Sequence, residues 1–384
     1  MRFPVGTINL ISNLTSTKMK KFLKKTTIIH LVLISLILTS CTKTKDEPDY
    51  GKYGEGVLIC NEGTFGAGNG SISYYNPEND SVVNDIFKLE NGRNLGDVVQ
   101  SVSRIGDFVF IQVNNSHKIE IVDGKSFAEK GVIKNLTQVR YAIGNENIAY
   151  ASAWGKWGVN GKVYFIDVKT LSISDSIATG LGPEAMILLD NKLFVANSGG
   201  WSYDSTITII NPTNKTILKT LIVGANPKTM VVDKNQKLWV LCSGSAIYDA
   251  NWNVKGHRSA KLVRINPSTF AIEKEVILFT DKHPVKLSIN ANGDKLFFGA
   301  GFGFQGIYIF NINDATFSTN KLIDKEFYGF DVNNNGEIYA FEALNFTERG
   351  KLFRYSETGV ELGNYLVGIA PNGSSLKRNC IDAL

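Results

Sequence analysis

A short apolar run closed by a tight-turn pair recurs along this chain about every 44 residues. The runs end at Asn76–Pro77, Asp123–Gly124, Asp167–Val168, Asn211–Pro212, Asn266–Pro267 and Asn311–Ile312, and a weaker seventh is Tyr355–Ser356 before Gly359. The steps between them are 47, 44, 44, 55, 45 and 44 residues. Asn and Asp suit such turns because their side chains bond the backbone two residues on, and Pro or Gly then supplies the required dihedral. Within one period, Glu184–Leu189, Lys192–Ala196, Thr206–Ile210 and Ile217–Leu221 are short alternating segments, and no helical periodicity is evident beyond the N-terminal leader. Four short strands per repeat of this length predict the blade of an all-β propeller.

A second mark precedes each blade's second strand. Gly182–Pro183–Glu184–Ala185–Met186 matches Asn226–Pro227–Lys228–Thr229–Met230 and, more loosely, His283–Pro284–Val285–Lys286–Leu287. Ala370–Pro371–Asn372–Gly373–Ser374 repeats the mark at the C-terminus with no blade after it, whereas the unit containing Val57–Cys60 begins at its second strand. The two ends complement each other. The C-terminal segment is expected to supply the innermost strand of the first blade, closing a ring of seven four-stranded blades and removing both open edges.

The first forty residues read as a targeting leader. Lys18, Lys20, Lys21, Lys24 and Lys25 precede the apolar stretch Ile28–Leu38, which is too short to span a bilayer stably. Met19 is a more natural start than Met1. Leu38–Thr39–Ser40–Cys41 resembles a bacterial lipobox, which implies cleavage before Cys41 and a lipid on its thiol. Residues 41–54 form a polar tether, with Lys45–Asp46–Glu47 resembling a short surface-export signal, and 55–384 form a single propeller domain. Residues 1–40 carry six basic and no acidic side chains, so the net charge of +5 falls to −1 without them. A near-neutral chain without a Lys/Arg run gives no reason to expect a nucleic-acid partner. Besides Cys41 there remain Cys60, Cys242 and Cys380. Cys60 and Cys242 sit in apolar runs and are expected to be buried, and a Cys60–Cys380 bridge is left open.

The loops between the second and third strands of each blade share one face of a propeller. Here they read NEGTFGAGNG from Asn61, NNSHK from Asn114, AWGKWGVNG from Ala153, NSGGWSYD from Asn197, SGSAIYDANWNVKGHRSA from Ser243, GAGFGFQG from Gly299 and ALNFTERG from Ala343. The 55-residue step places an insertion in the fifth. Four of the five tryptophans lie in these loops, and the fifth, Trp239, sits in an apolar strand as a core residue. Aromatics in exposed glycine-rich loops point to a contact surface. The candidate ligand-binding residues are Phe65, Asn114, Asn115, Trp154, Trp157, Trp201, Tyr203, Tyr248, Trp252, Phe302 and Phe304, the rings for broad contacts and the amides for hydrogen bonds. Phe346 adds to the same face. The first of these loops lacks the GxxxxGK[ST] pattern and no helix follows it, so it is not a phosphate cradle. No HExxH, GxSxG or Cys/His metal spacing occurs. His257 and His283 are expected to face the platform as isolated side chains. No catalytic or metal-binding set is assigned, and no cofactor is expected.

The lipobox, the repeats, and the stretches Asn61–Gly63, Gly92–Ser101 (GRNLGDVVQS) and Val113–Ser116 resemble the YncE-like propellers of outer-membrane lipoproteins, most closely the BtuG type. That resemblance, over about residues 55–375, implies a lipid-anchored outer-membrane protein facing the exterior. Such a protein captures cobalamin or another corrinoid and passes it to a TonB-dependent transporter of the BtuB type, by binding and not by catalysis. The same tryptophans would also serve a surface glycan-binding lipoprotein. A propeller lyase or lactonase would need a metal or a histidine–acid set on that face.

Overall fold

The computed structural model describes residues 51–376. The leader, the lipidation expected at Cys41, the tether up to residue 50, and Cys380, on which the bridge left open above depends, lie outside the described residues. Seven four-stranded antiparallel sheets follow one another around a ring. The first combines β1 (Val57–Asn61), β2 (Ser71–Asn76) and β3 (Ser81–Val83) with β30 (Pro371–Ser375), the last strand of the chain. The second is β4 (Val99–Ile105), β5 (Phe108–Val113), β6 (Lys118–Asp123) and β7 (Glu129–Lys134). The third is β8 (Val139–Gly144), β9 (Ile148–Ala153), β10 (Lys162–Asp167) and β11 (Ser172–Ala178). The fourth is β12 (Pro183–Leu189), β13 (Lys192–Asn197), β14 (Thr206–Asn211) and β15 (Thr216–Ile222).

The fifth blade is β16 (Pro227–Val232), β17 (Leu238–Cys242), β20 (Ala260–Ile265) and β21 (Ile272–Phe279). Its insertion is a separate hairpin, β18 (Ser245–Tyr248) and β19 (Val254–Arg258), as the long step required. The sixth is β22 (Lys286–Ile289), β23 (Lys295–Gly299), β24 (Gln305–Asn311) and β25 (Lys321–Glu326). The seventh is β26 (Gly329–Val332), β27 (Ile338–Glu342), β28 (Arg349–Tyr355) and β29 (Glu361–Ile369).

The turn chemistry read from the sequence is the chemistry used. Asn76 Oδ1 accepts from the Glu78 amide at 2.9 Å, Asp167 Oδ1 from Thr170 at 2.8 Å, and Asn211 Oδ1 from Thr213 at 2.9 Å. The seventh turn substitutes Ser356, whose Oγ accepts from the Val360 amide at 3.1 Å. The second strands β1 and β17 are buried at every position, while the outer β15 is exposed at all but one. That gradient explains why second strands read as continuous apolar runs, while outer strands such as β15 mix threonine and lysine with exposed aliphatics. Trp239 is fully buried, donating from Nε1 to Asp233 Oδ2 at 2.8 Å. Cys60 and Cys242 are buried thiols, and burial pushes Cys242 up to about 12.

Ring closure is as expected. β30 pairs antiparallel with β1, Cys60 facing Gly373. Asn61 seals the join: its Oδ1 accepts from the Gly368 amide at 3.1 Å and its Nδ2 donates to Ser73 Oγ at 2.9 Å. On the outer edge, Asp80 accepts from Tyr75 Oη, Tyr365 Oη and Arg354 Nη1 at 2.7, 2.5 and 2.7 Å, joining the first blade to the seventh.

Among the described residues, one helix departs from the expectation of none beyond the leader. α1 (Ile86–Asn91) links β3 to β4, burying Ile86 and Phe87 beside Tyr53 and Phe127 and ending at Gly92 with φ 70°. Six residues hold fewer than two helical turns, too few to show a 3.6-residue period.

Candidate functional site

The seven second-to-third-strand loops lie on one face, and they hold all seven exposed aromatic side chains found among the described residues: Phe65, Trp157, Trp201, Tyr203, Tyr248, Trp252 and Phe302. Large aliphatic side chains are exposed elsewhere, on outer strands such as β15 and β29, but no exposed aromatic accompanies them.

Backbone and side-chain ties hold these loops together. Asp97 accepts from the Gly66 amide at 3.0 Å and from Asn115 Nδ2 at 2.5 Å, clamping the first loop to the second. Beside it, Gly96 has φ 138°, and a Cβ there would meet Ser116 Oγ at 2.5 Å. The GRNLGDVVQS and VNNS stretches are therefore two halves of one joint. Thr64 Oγ1 donates to the Phe346 carbonyl at 2.9 Å, tying the first loop to the seventh. Phe346 is half-buried, edge-on to Tyr328 at 5.1 Å and tilted against Phe302 at 6.0 Å. Phe65 stands at the open tip of its loop.

Trp154, Trp157 and Trp201 form one cluster between the third and fourth blades. Trp154 meets Trp201 edge-on at 5.4 Å, and Trp157 lies nearly parallel to Trp201 at 6.3 Å. Behind them is a shallow recess lined by Trp154, Leu181, Gly182, Gly199, Gly200 and Trp201. Its floor requires glycine, since a Cβ on Gly182 would sit 1.9 Å from the Gly200 nitrogen. On the fifth blade, Tyr248 and Trp252 tilt against each other at 5.9 Å, and the Arg258 guanidinium lies 4.3 Å from the Tyr203 ring centroid.

Three of the proposed contact residues are spent on structure. Phe304 is 4% exposed where Phe302 is 83% exposed. The Phe304 amide donates to the Gly301 carbonyl at 3.1 Å, and the ring packs edge-on against Phe279 at 5.6 Å. Asn114 is buried, its Nδ2 donating to the Val139 carbonyl at 2.8 Å across the blade junction. Asn115 is occupied by Asp97. Of the candidate set, the rings of Phe65, Trp157, Trp201, Tyr203, Tyr248, Trp252 and Phe302 remain available, with Trp154 half-buried behind them.

An ion network around the ring axis was not anticipated from sequence. Arg140 donates through Nε and Nη2 to Glu184 at 3.1 and 3.3 Å, and Lys228 Nζ reaches the same carboxylate at 3.2 Å. Arg140 also bonds Gln100 and sets its guanidinium 4.1 Å from the Trp154 ring centroid. Burial works against the Glu184 charge, but Arg140 and Lys228 hold the carboxyl below its ordinary range. Across the axis, Glu62 accepts from Asn372 Nδ2 at 2.8 Å and Tyr328 Oη at 3.2 Å. There burial prevails over Asn372, Arg140 and Tyr328, and the Glu62 carboxyl is raised. A signal for this network existed. Glu184, Lys228 and Asn372 each follow the proline of the repeated inner-strand mark.

Residues 55–336 match the model of the family described as Domain of unknown function (DUF5074). The chain belongs to the DUF5074 family. No curated protein sequence matches it. Among solved structures it is similar to a quinoprotein alcohol dehydrogenase-like protein from Bacteroides thetaiotaomicron, at 14% identity and TM-score 0.61 over 84% of this chain and 78% of that one. It is also similar to a functionally unknown protein from Desulfotomaculum acetoxidans, at 11% identity and TM-score 0.58 over 84% and 99%. Identities this low establish the propeller fold for this DUF5074 protein and nothing about its ligand.

Proposed function

We propose that this protein is a surface lipoprotein that captures cobalamin or a related corrinoid on its aromatic loop face and passes it to a TonB-dependent transporter of the BtuB type. The carrying observation is the segregation of every exposed aromatic among the described residues to that one face. A corrin is broad and flat with a methyl- and amide-bearing rim. Rings spread over several blades would contact its edges together. The cross-tied loops are arranged before the ligand arrives, so binding forfeits little conformational entropy. The transporter partner, the Cys41 anchor and the exterior location rest on the resemblance of the leader and the first two blades.

The test is a titration of the purified protein with cyanocobalamin, followed by tryptophan fluorescence. Saturable quenching that is weakened by Trp201→Ala supports the reading. No response at micromolar ligand sinks it, and saturable binding to a polysaccharide instead would assign the platform to glycan.

A further inference from the structure

The two histidines expected as isolated loop residues meet. His257 lies on β19, at the base of the inserted hairpin, and His283 on the link between the fifth and sixth blades. His257 Nδ1 is 3.0 Å from His283 Nε2, with the ring centroids 5.2 Å apart. His283 Nδ1 lies 2.9 Å from the Ser243 carbonyl, which can only accept, so that nitrogen carries the proton and Nε2 presents a lone pair. A backbone carbonyl that orients one ring nitrogen and leaves the lone pair of the other to a second group is the usual support of a metal-binding imidazole, and here that second group is the His257 ring. His257 is exposed and His283 half-exposed on the aromatic face, so the pair is open to solvent.

We propose that His257 Nδ1 and His283 Nε2 hold one divalent transition-metal ion, Cu²⁺ or Ni²⁺, in adjacent coordination positions. Two nitrogens 3.0 Å apart subtend roughly 91–97° at an ion about 2.0–2.1 Å from each. That is the angle of neighbouring ligands in square-planar or octahedral geometry, preferred by Cu²⁺ and Ni²⁺ with nitrogen and oxygen donors, and narrower than the tetrahedral angle of a structural Zn²⁺ site. Without the metal, His257 Nδ1–H donates to the His283 Nε2 lone pair; on binding, that proton moves to His257 Nε2, which frees the Nδ1 lone pair as the second ligand, and no proton leaves the pair. The two flanking cations lie on ring faces, Arg258 over Tyr203 and Lys282 over Phe279, while Asp281 is an acidic neighbour of His283. Two protein ligands leave the remaining positions to water or to donor atoms of a molecule on the platform. The metal would thereby join the inserted hairpin, with Tyr248 and Trp252, to the next blade. This site does not depend on the corrinoid reading.

The experiment is titration of the full-length, untagged protein with CuCl₂ by calorimetry, with electron paramagnetic resonance on the loaded sample. One Cu²⁺ per chain is expected, with hyperfine structure from two equatorial nitrogens. His257→Ala and His283→Ala should each weaken that binding by more than about 100-fold with melting temperature unchanged, because the loss of a ligand exceeds the 10–100-fold typical of an outer-shell partner. His117→Ala should bind as wild type. Absence of saturable 1:1 binding overturns the proposal, as does a spectrum without two nitrogens or binding that survives both alanine variants. Cyanocobalamin titration of the same samples separates the readings: loss of corrinoid binding with copper binding intact refutes the proposed function alone, and the converse refutes this site alone.

Discussion

Glu184 is the sharpest place to perturb the fold beneath the platform. It is 1% exposed and carries two cations, Arg140 and Lys228, whose side chains are 14% and 25% exposed. Glu184→Ala removes the shared carboxylate and leaves both cations without it. Breaking a buried pair from one side costs about 3–5 kcal/mol, because the remaining charge is uncompensated. The partial exposure of Lys228 lets water recover part of that, which places the expected loss near about 3 kcal/mol. The entropy of unfolding is about 2.1 cal/mol/K per residue, or about 0.7 kcal/mol/K for a domain of this size. The melting temperature should therefore fall by about 4 °C in a calorimetric scan. Replacing Arg140, Glu184 and Lys228 together by leucine should cost less than Glu184→Ala alone, since no charge is then stranded. Trp154 emission should shift to the red in the single variant, because Arg140 no longer holds its place against the ring. A fall under about 1 °C, or a triple variant less stable than the single one, would refute the view that these charges act as a desolvated network.

Three further outcomes follow from the geometry. Phe304→Ala should cost about 3–5 kcal/mol by chemical denaturation because it empties a packed aromatic cluster, whereas Phe302→Ala should stay within about 0.5 kcal/mol. Burial raises the Glu62 carboxyl, so its contribution to stability is fully present below the ordinary carboxylate range and is lost as pH rises through the raised value. Glu62→Gln should therefore gain on wild type in melting temperature from acid to neutral pH, and parallel melting curves across that range would contradict the assignment. Truncation after Ala370 removes β30 and bares the inner edge of β1, so the truncated protein should lose its cooperative melting transition in circular dichroism.

The propeller was legible because its repeat is written in local chemistry. An Asx side chain needs only its next two or three residues to make a turn, so Asn76, Asp167 and Asn211 announced strand ends that the structure keeps. Closure was legible for a related reason, since an unmatched Pro-marked strand at one end answered a missing strand at the other. The face of the loops was legible as well, but not the direction of each side chain within them. Phe302 and Phe304 are two residues apart in the same glycine-rich loop, and a single backbone turn at Gly301 decides which one joins Phe279. Asn114 and Asn115 divide in the same way between a strand carbonyl and Asp97.

The interactions hardest to read are those between repeats. Arg140, Glu184 and Lys228 stand 44 residues apart in succession, one blade each, and meet only because the ring brings equivalent inner-strand positions to a common axis. Aligning the repeats by their prolines recovers Glu184 and Lys228 as equivalent positions, which no single segment does. His257 and His283 lie outside that alignment altogether, because one of them belongs to the insertion that lengthens the fifth repeat. The same network also connects stability to the binding face. Arg140 is held by Glu184 on one side and lies against Trp154 on the other, and Trp154 lines the recess between the third and fourth loops. A substitution at the axis is thus expected to reach the platform through one guanidinium, even though no axial carboxylate is itself part of the aromatic surface.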